Sequence, residues 1–193
     1  MSHAETLKPT LLGSLLQDRG AVSEAAVVVM MSWLIALFAR VQIPLPFTPV
    51  PLTGGTLGVL YAGALLGSRR GAAAVALYLL QGLVGLPFFA GGAAGALVFL
   101  GPTGGYLIGF LPAAWVTGRL AERGWDRSAP WALAMMLCGS AVIFAFGLAG
   151  LSRFLPAEQL LAKGLFPFIL GDLAKSSLSA ALLPLGWRWL RKP

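Results

Sequence analysis

The sequence predicts an all-α integral membrane protein, a bundle of six transmembrane helices with both termini in the cytoplasm. The chain has 193 residues, of which 58% are hydrophobic and only 11% are charged. Soluble domains are about 45–50% apolar and about 25% charged, so this chain lacks the polar residues to cover a water-facing surface. One span needs about 20 apolar residues, so the length fits about six spans in one domain, residues 1–193. Soluble enzymes, nucleic-acid-binding proteins and disordered proteins are excluded.

The first predicted span follows a short polar segment. Residues 1–20 include Lys8, Asp18 and Arg19, and an apolar run over residues 25–41 comes next. This order is typical of a cytoplasmic segment before an uncleaved span, because a signal peptide has a shorter apolar core and a small-residue cleavage site.

The second and third spans come after a proline-rich segment. Four prolines within residues 43–51 remove backbone donors and fix φ, so this segment cannot be helical. The second span is residues 52–67 and ends at Ser68-Arg69-Arg70, and the third runs from residue 71 to about residue 86.

The remaining spans follow a glycine-rich stretch. Residues 87–105 contain two pairs of adjacent glycines, which blur the helix ends on either side. Apolar runs then predict a fourth span at about residues 106–120, a fifth at residues 131–151 and a sixth at residues 166–189.

The distribution of lysine and arginine sets the predicted orientation. Of the 14 basic residues, ten lie in the terminal segments and in the second and fourth loops, three lie in the other loops, and Lys175 lies inside a span. Cytoplasmic loops carry the excess of Lys and Arg in membrane proteins. The alternation supports six spans with cytoplasmic termini, and it explains the formal net charge of +7 without nucleic acid as a partner.

The first two loops on the predicted outer side are long, nearly uncharged and rich in Pro, Gly and Phe. Irregular backbone is costly in lipid, where its polar groups find no partners. We therefore expect these loops to form a lid over an outward-facing pocket. The alternative is that they are connectors lying at the membrane interface.

The strongest functional signal is a pair of opposite charges inside the sixth span. Asp172 is the one acid of the seven that lies well inside an apolar run, and Lys175 follows three residues later. On a helix these positions share a face, and they lie about 9 Å and about 13 Å below the predicted outer surface. A charge within the membrane is costly and indicates function by default. The pair either addresses one ligand or neutralises itself as a closed ion pair.

Other candidate ligand contacts are few and lie beside the predicted lid or in the third span. Each also has an ordinary interpretation as a helix cap, a hydroxyl bonded to nearby backbone, or an interfacial anchor. The candidates are Thr48, Thr53, Gln81, Phe88, Phe89, Gly91, Thr103 and Tyr106.

Several chemistries are excluded by what the sequence lacks. The single histidine, His3, lies in the polar N-terminal segment, so histidine-metal sites and Ser-His catalysis are excluded. A single cysteine, Cys138, excludes intramolecular disulfides and a zinc cluster. No G-x-x-x-x-G-K-[ST] motif is present, so the chain does not hydrolyse ATP through a P-loop. Neither an enzyme activity nor a cofactor is predicted.

Four segments together resemble the BioY family, the biotin-specific substrate-capture (S) components of energy-coupling-factor (ECF) transporters. The strings G-P-T-G-G-Y and P-F-I-x-G-D-x-x-K are the specific part, and the resemblance extends over nearly the whole chain. The segments are residues 43–53 (IPLPFTPVPLT), 85–92 (GLPFFAGG), 101–110 (GPTGGYLIGF) and 167–175 (PFILGDLAK).

The resemblance implies an S-component fold with a single substrate-binding domain in the bacterial plasma membrane. It implies a biotin pocket under the loops after spans one, three and five, with Asp172 and Lys175 at the ligand. The implied partners are biotin, membrane lipid, a transmembrane coupling subunit and a pair of ATPase subunits.

Small residues on the first span mediate docking in the family, and Ala21 and Ala25 are the candidates here. The chain departs from the family at Gly55, where many relatives carry Gln, so a polar contact from that side chain is missing.

Biotin suits such a pocket chemically. Its bicyclic ring carries two N–H donors and a carbonyl acceptor, and its apolar tail ends in a carboxylate. An aspartate accepts from the ring N–H groups and an ammonium donates to the carbonyl in charge-assisted hydrogen bonds, while Phe88, Phe89 and Tyr106 wall the ring. The tail carboxylate is a second potential partner of Lys175, and the sequence leaves that choice open.

Two other functions stay open at this point. One is an S component for another vitamin, such as thiamin or riboflavin, although cationic thiamin would favour a surplus of acids. The other is a solitary secondary transporter in which Asp172 carries a proton.

Overall fold

The structure is a computed structural model that describes residues 8–16 and 20–190. The predicted N-terminal segment and the basic C-terminus lie partly outside the described residues, at residues 1–7, 17–19 and 191–193. A two-stranded antiparallel sheet pairs β1, Gln42–Ile43, with β2, Leu52–Thr53. The α-helices of the described part are α1 Leu11–Leu16, α2 Ala21–Arg40, α3 Gly55–Leu66, α4 Ser68–Leu83, α5 Leu97–Leu100, α6 Gly104–Glu122, α7 Ala129–Leu151, α8 Ala157–Gly164 and α9 Phe166–Leu190.

The predicted spans correspond to the six longest of these helices, α2, α3, α4, α6, α7 and α9. Within the described residues, three helical stretches are long and apolar enough to cross a membrane by length and composition. They are Ala21–Arg40, Ala129–Leu151 and Ala157–Leu190, the last of which takes in both α8 and α9. Helix α3 is apolar but shorter. The number of membrane crossings stays a prediction.

The starts of α3 and α4 differ from the predicted ones because local turn and strand geometry decides them. Gly67 has φ +86° and makes the whole turn between α3 and α4, so Ser68 to Arg70 form the first turn of α4 instead of a connector. Leu52 and Thr53 were expected to open the second span, but they pair with β1 in the sheet. The proline-rich residues between the two strands are not helical, as predicted.

Helix α6 lies at the centre of the bundle and packs against α3, α4 and α7. Glycines permit the close approach. A Cβ on Gly63 of α3 would collide with the carbonyl oxygen of Ala114 in α6, and one on Gly105 would collide with backbone of Gly150 in α7. Because neighbouring backbone fills that space, larger side chains would force the helices apart. Helices α3 and α6 thus run side by side from a common end of the bundle.

The opposite end, where α6 ends and α7 begins, is closed by a polar and aromatic cluster. Asp126 is fully buried, and the indole N–H of Trp187 donates to its Oδ2 at 2.6 Å. The guanidinium of Arg127 lies 4.5 Å from the centroid of the Trp187 ring and donates to the carbonyl oxygen of Pro9. We call Asp126, Arg127 and Trp187 the closed end, because they join the α6–α7 connection to α9 and to the N-terminal segment.

Candidate ligand-binding site

A cavity of about 250 Å³ lies where α3, α6 and α9 begin. Its volume is just below the range of about 300–1,000 Å³ that is typical of small-molecule sites. Both long loops contribute to its wall, the first through residues 50–53 and the second through residues 89, 90, 93, 98 and 103. Most of the lining is apolar. The polar side chains that line it are Thr53, Thr56, Tyr78, Thr103, Tyr106, Asp172 and Lys175.

Asp172 reaches the cavity wall from the second turn of α9. The residue is buried, with 8% of its surface exposed. The Ser140 hydroxyl, on α7, donates to Asp172 Oδ1 at 2.8 Å. Since a buried carboxylate without hydrogen bonds is costly, this bond both stabilises the carboxylate and fixes its orientation at the wall.

Lys175 lies one turn further along α9 and extends its ammonium to α3. Its Nζ donates to the carbonyl oxygen of Thr53 and to the Thr56 hydroxyl, at 3.0 Å in each case. Both acceptors lie where the chain passes from β2 into the first turn of α3. The short sheet therefore positions the acceptors that anchor the ammonium.

Asp172 and Lys175 face one cavity without closing on each other. Ion pairs of 4.0 Å or less among the described residues do not include either of them. An ammonium has three donors, of which Lys175 uses two on the protein, and a carboxylate accepts at both oxygens, of which Oδ1 of Asp172 accepts from the protein. Each charged group therefore retains hydrogen-bonding capacity toward the cavity.

Aromatic rings form much of the apolar wall. Phe89 is 1% exposed, and its ring meets that of Tyr78 edge-on with centroids 5.7 Å apart. Phe144 of α7 and Phe168 of α9 lie near each other, with centroids 6.4 Å apart. A flat apolar ligand would find aromatic faces and edges on several sides.

Two side-chain hydroxyl groups donate hydrogen bonds to backbone carbonyls at the end of α8, beside the cavity. Thr48, in the proline-rich loop, donates to the carbonyl oxygen of Lys163 at 2.7 Å. Tyr106, at the start of α6, donates to the carbonyl oxygen of Gly164 at 2.7 Å. Helix α8, which the sequence did not predict, is thereby joined to the first loop and to a residue of the cavity wall.

A model of the BioY family matches residues 8–192. The chain belongs to the BioY family. A protein from Rhizobium etli named biotin transporter BioY is 40% identical over 157 residues, which are 77% of this chain and 84% of that protein. A protein of the same name from Thermotoga maritima is 39% identical over 141 residues, 72% of this chain and 82% of that protein. The predicted family is confirmed.

A solved structure shares the fold of this family member. It is the crystal structure at 2.1 Å of the S-component for biotin from an ECF-type ABC transporter. The comparison gives a TM-score of 0.78 at 30% sequence identity, and it covers 89% of this chain and 93% of that chain. The helical fold is thus that of an ECF S-component.

Six of the ten candidate ligand residues line the cavity of this BioY protein. They are Thr53, Phe89, Thr103, Tyr106, Asp172 and Lys175. Their contact with a ligand stays a prediction. Gly55 also lines the cavity, beside Ala39 and Thr53.

The other four candidates are not part of the cavity lining: Thr48, Gln81, Phe88 and Gly91. Thr48 bonds the carbonyl oxygen of Lys163, and the Gln81 side chain accepts from the Ser32 hydroxyl. The ring of Phe88 packs edge-on against Trp33 of α2, with centroids 5.9 Å apart, and lines an exposed groove on that helix. Gly91 has φ +66° in the turn Ala90–Gly92, and the side chain of Gln42 lies against it. Because Phe89 is extended, with ψ 174°, adjacent side chains point to opposite sides, and only one of the two phenylalanines faces inward.

Ser140 and Thr56 are site residues that the sequence analysis missed. Thr56 lies three residues after Thr53, which is the spacing that places two side chains on one side of a helical turn. Ser140 is a polar residue in the otherwise apolar run of α7. Neither signal distinguishes a hydroxyl that bonds a charged group from one that bonds its own backbone.

Among the described residues, no three His, Cys, Asp or Glu side chains are placed to hold a metal ion. The side chains that line the cavity offer hydrogen bonding by one ammonium, one carboxylate and several hydroxyls inside an apolar wall.

Proposed function

We propose that the chain captures biotin in this cavity, as the substrate-binding membrane subunit of an ATP-driven ECF transporter. Relatives named biotin transporters and the fold of a biotin S-component support this ligand. The observation that carries the proposal is a carboxylate and an ammonium that line one apolar cavity without pairing with each other. BioY proteins are transporter components and not enzymes.

The ureido ring of biotin complements the two charged groups. Asp172 accepts a hydrogen bond from a ring N–H, and the third donor of Lys175 reaches the ring carbonyl. Charge-assisted hydrogen bonds are roughly twice as strong as neutral ones. The aromatic and aliphatic wall covers the bicyclic ring and the methylene tail, which removes apolar surface from water.

The contact of Lys175 is open to a direct test with biotin amide, which keeps the ring and lacks the tail carboxylate. If Lys175 bonds the ring carbonyl, Lys175→Ala weakens the binding of biotin and of the amide by the same factor. If Lys175 instead bonds the tail, the binding of biotin weakens by the larger factor, because the neutral amide carbonyl accepts a weaker hydrogen bond than the carboxylate does. Titration of both ligands into the wild type and the variant distinguishes the two contacts.

The proposed membrane arrangement has all six long helices crossing the bacterial plasma membrane, with both termini in the cytoplasm. The bias of basic residues toward the termini and alternate loops supports this orientation. The cavity then opens toward the outside under the proline-rich and glycine-rich loops. Ala21 and Ala25 are exposed on α2, which suits the proposed docking of a coupling subunit.

The ligand is tested by isothermal titration of the purified protein with biotin, thiamin and riboflavin. We expect saturable binding of biotin and no measurable binding of the other two. Tighter binding of thiamin or riboflavin than of biotin would assign the site to another vitamin.

Energy coupling is tested by uptake of labelled biotin into vesicles. We expect ATP-dependent uptake when the chain is reconstituted with a coupling subunit and ATPase subunits. Uptake by the chain alone that an uncoupler abolishes would instead support a solitary proton-linked transporter.

A further inference from the structure

The side chains of Asp172 and Lys175 each bond a hydroxyl group on another helix. Opposite charges three residues apart on one helix ordinarily pair, and attraction between them is stronger in an apolar interior than in water. Here Ser140 of α7 holds the carboxylate and Thr56 of α3 holds the ammonium. We propose that Ser140 and Thr56 are positioning residues that keep the charged pair open for a ligand, an inference that rests on the proposed biotin function.

The hydrogen-bond inventory supports this role. Lys175 directs two of its three donors to Thr53 and Thr56, which leaves one donor for the cavity. Oδ1 of Asp172 accepts from Ser140, which leaves the second oxygen for a donor in the cavity. One donor and one acceptor on the same face match the adjacent C=O and N–H of a cyclic urea. A self-closed ion pair would present neither group in the same way.

Ser140 lies on the side of Asp172 that faces away from the cavity, where it lines an apolar groove and not the cavity itself. Asp172 and Phe144 line both the cavity and an apolar groove of about 420 Å³ between α7 and α9. The Asp172 carboxylate could therefore also turn toward the groove and away from the cavity. The hydroxyl of Ser140, which is 3% exposed, bonds the carboxylate at that wall and holds α7 against α9.

Thr56 has the corresponding role on the other side of the cavity. The carbonyl of Thr53 is a backbone acceptor, which no side-chain substitution removes, whereas the hydroxyl of Thr56 depends on the side chain alone. Losing that hydroxyl leaves the ammonium with one protein acceptor. A flexible lysine side chain then reaches Asp172 more readily, because its four-carbon stem has many rotamers.

The test is biotin binding by purified variants in detergent. Thr56→Val keeps the shape of the side chain and removes the hydroxyl, whereas Thr56→Ser keeps the hydroxyl. Ser140→Ala removes the other hydroxyl, and Ser32→Ala is its matched control, a buried serine that bonds Val29 and Gln81 away from the cavity. We expect Thr56→Val and Ser140→Ala to weaken binding roughly 10- to 100-fold, and Thr56→Ser and Ser32→Ala to change it by less than about threefold.

A ligand-free structure separates this inference from the proposed function. In crystals of the double variant Thr56→Val, Ser140→Ala grown without biotin, we expect Asp172 and Lys175 to form a direct ion pair. If the wild type does not bind biotin, the proposed function fails, and this structure still decides the positioning role. An unchanged, open pair in the double variant, or unchanged biotin affinity in both single variants, would overturn the inference.

Discussion

In the part of the chain that the structure describes, two aspartates are buried, and they lie at opposite ends of the bundle in different surroundings. At the closed end, Asp126 accepts from the Trp187 indole, and the Arg127 guanidinium lies over that ring. At the cavity, Asp172 accepts from Ser140 and faces open volume, with Lys175 directed to α3. Burial alone therefore does not distinguish the two aspartates. What distinguishes Asp172 is a neighbouring cation that is held apart from it beside a cavity.

The largest expected effect is the loss of binding at the cavity. Asp172→Asn removes the charged acceptor, and Lys175→Ala removes the charged donor. Each change leaves a buried ligand group without its partner, which weakens biotin binding at least about 100-fold. Isothermal titration in detergent measures both variants, and thermal unfolding without ligand confirms that they fold.

Asp126→Asn is the matched control for this prediction, since it makes the same change at the other buried aspartate. We expect the control to bind biotin with an affinity within about threefold of the wild type. Unchanged affinity in both cavity variants would remove Asp172 and Lys175 from the site.

The next prediction concerns the pH dependence of folding stability, which involves Asp126 at the closed end. Burial raises the pKa of Asp126 from 3.8 to about 6, although the Trp187 hydrogen bond and Arg127 act in the opposite direction. The folded state thus retains a proton that the unfolded chain releases between about pH 4 and about pH 6. Stability therefore falls as pH rises through this window, by up to about 3 kcal/mol.

Thermal unfolding of the purified protein between pH 4 and pH 7 measures this effect. We expect the unfolding midpoint of the wild type to decrease with rising pH across the window, and Asp126→Asn to remove much of that decrease. A wild-type midpoint that instead rises between pH 4 and pH 6, with Asp126→Asn showing the same rise, would show that Asp126 is not the group responsible.

The smallest effect on ligand binding is expected from the two hydrogen bonds that join the end of α8 to Thr48 and Tyr106. Tyr106→Phe and Thr48→Val each remove one hydroxyl that donates to the end of α8. One neutral hydrogen bond contributes about 1 kcal/mol, so we expect biotin to dissociate about fivefold faster. Stopped-flow displacement of bound biotin measures the rate. Unchanged dissociation in both variants would show that these bonds do not hold a lid.

The positions of the helices were predictable where the apolar runs are long. The ends of the helices were not predictable where a local turn determines the boundary. A sequence reading of apolar length places α7 and α9 well. It places the start of α4 three residues late, because the effect of Gly67 depends on a positive φ that composition does not show. Helix α8 has only 8 residues and the sheet has two residues per strand, so neither produces a periodic pattern that could be recognised.

Asp172 and Lys175 could be singled out from the sequence because a charged side chain is costly inside an apolar span, and both line the cavity. Phe88 and Phe89 could not be separated, since which of two adjacent rings faces inward depends on the local backbone. Ser140 was hidden among similar residues. Ser179 bonds the carbonyl of Lys175 four residues earlier, an ordinary arrangement for a helical serine, and nothing in the sequence distinguishes the two serines.

The most direct test of the account is a crystal structure of the protein with biotin bound. We predict the ureido ring in the cavity, with a ring N–H donating to Asp172, Lys175 donating to the ligand, and both side chains still bonded to Ser140 and Thr56. Biotin bound elsewhere, or a direct Asp172–Lys175 ion pair beside the bound ligand, would contradict the account.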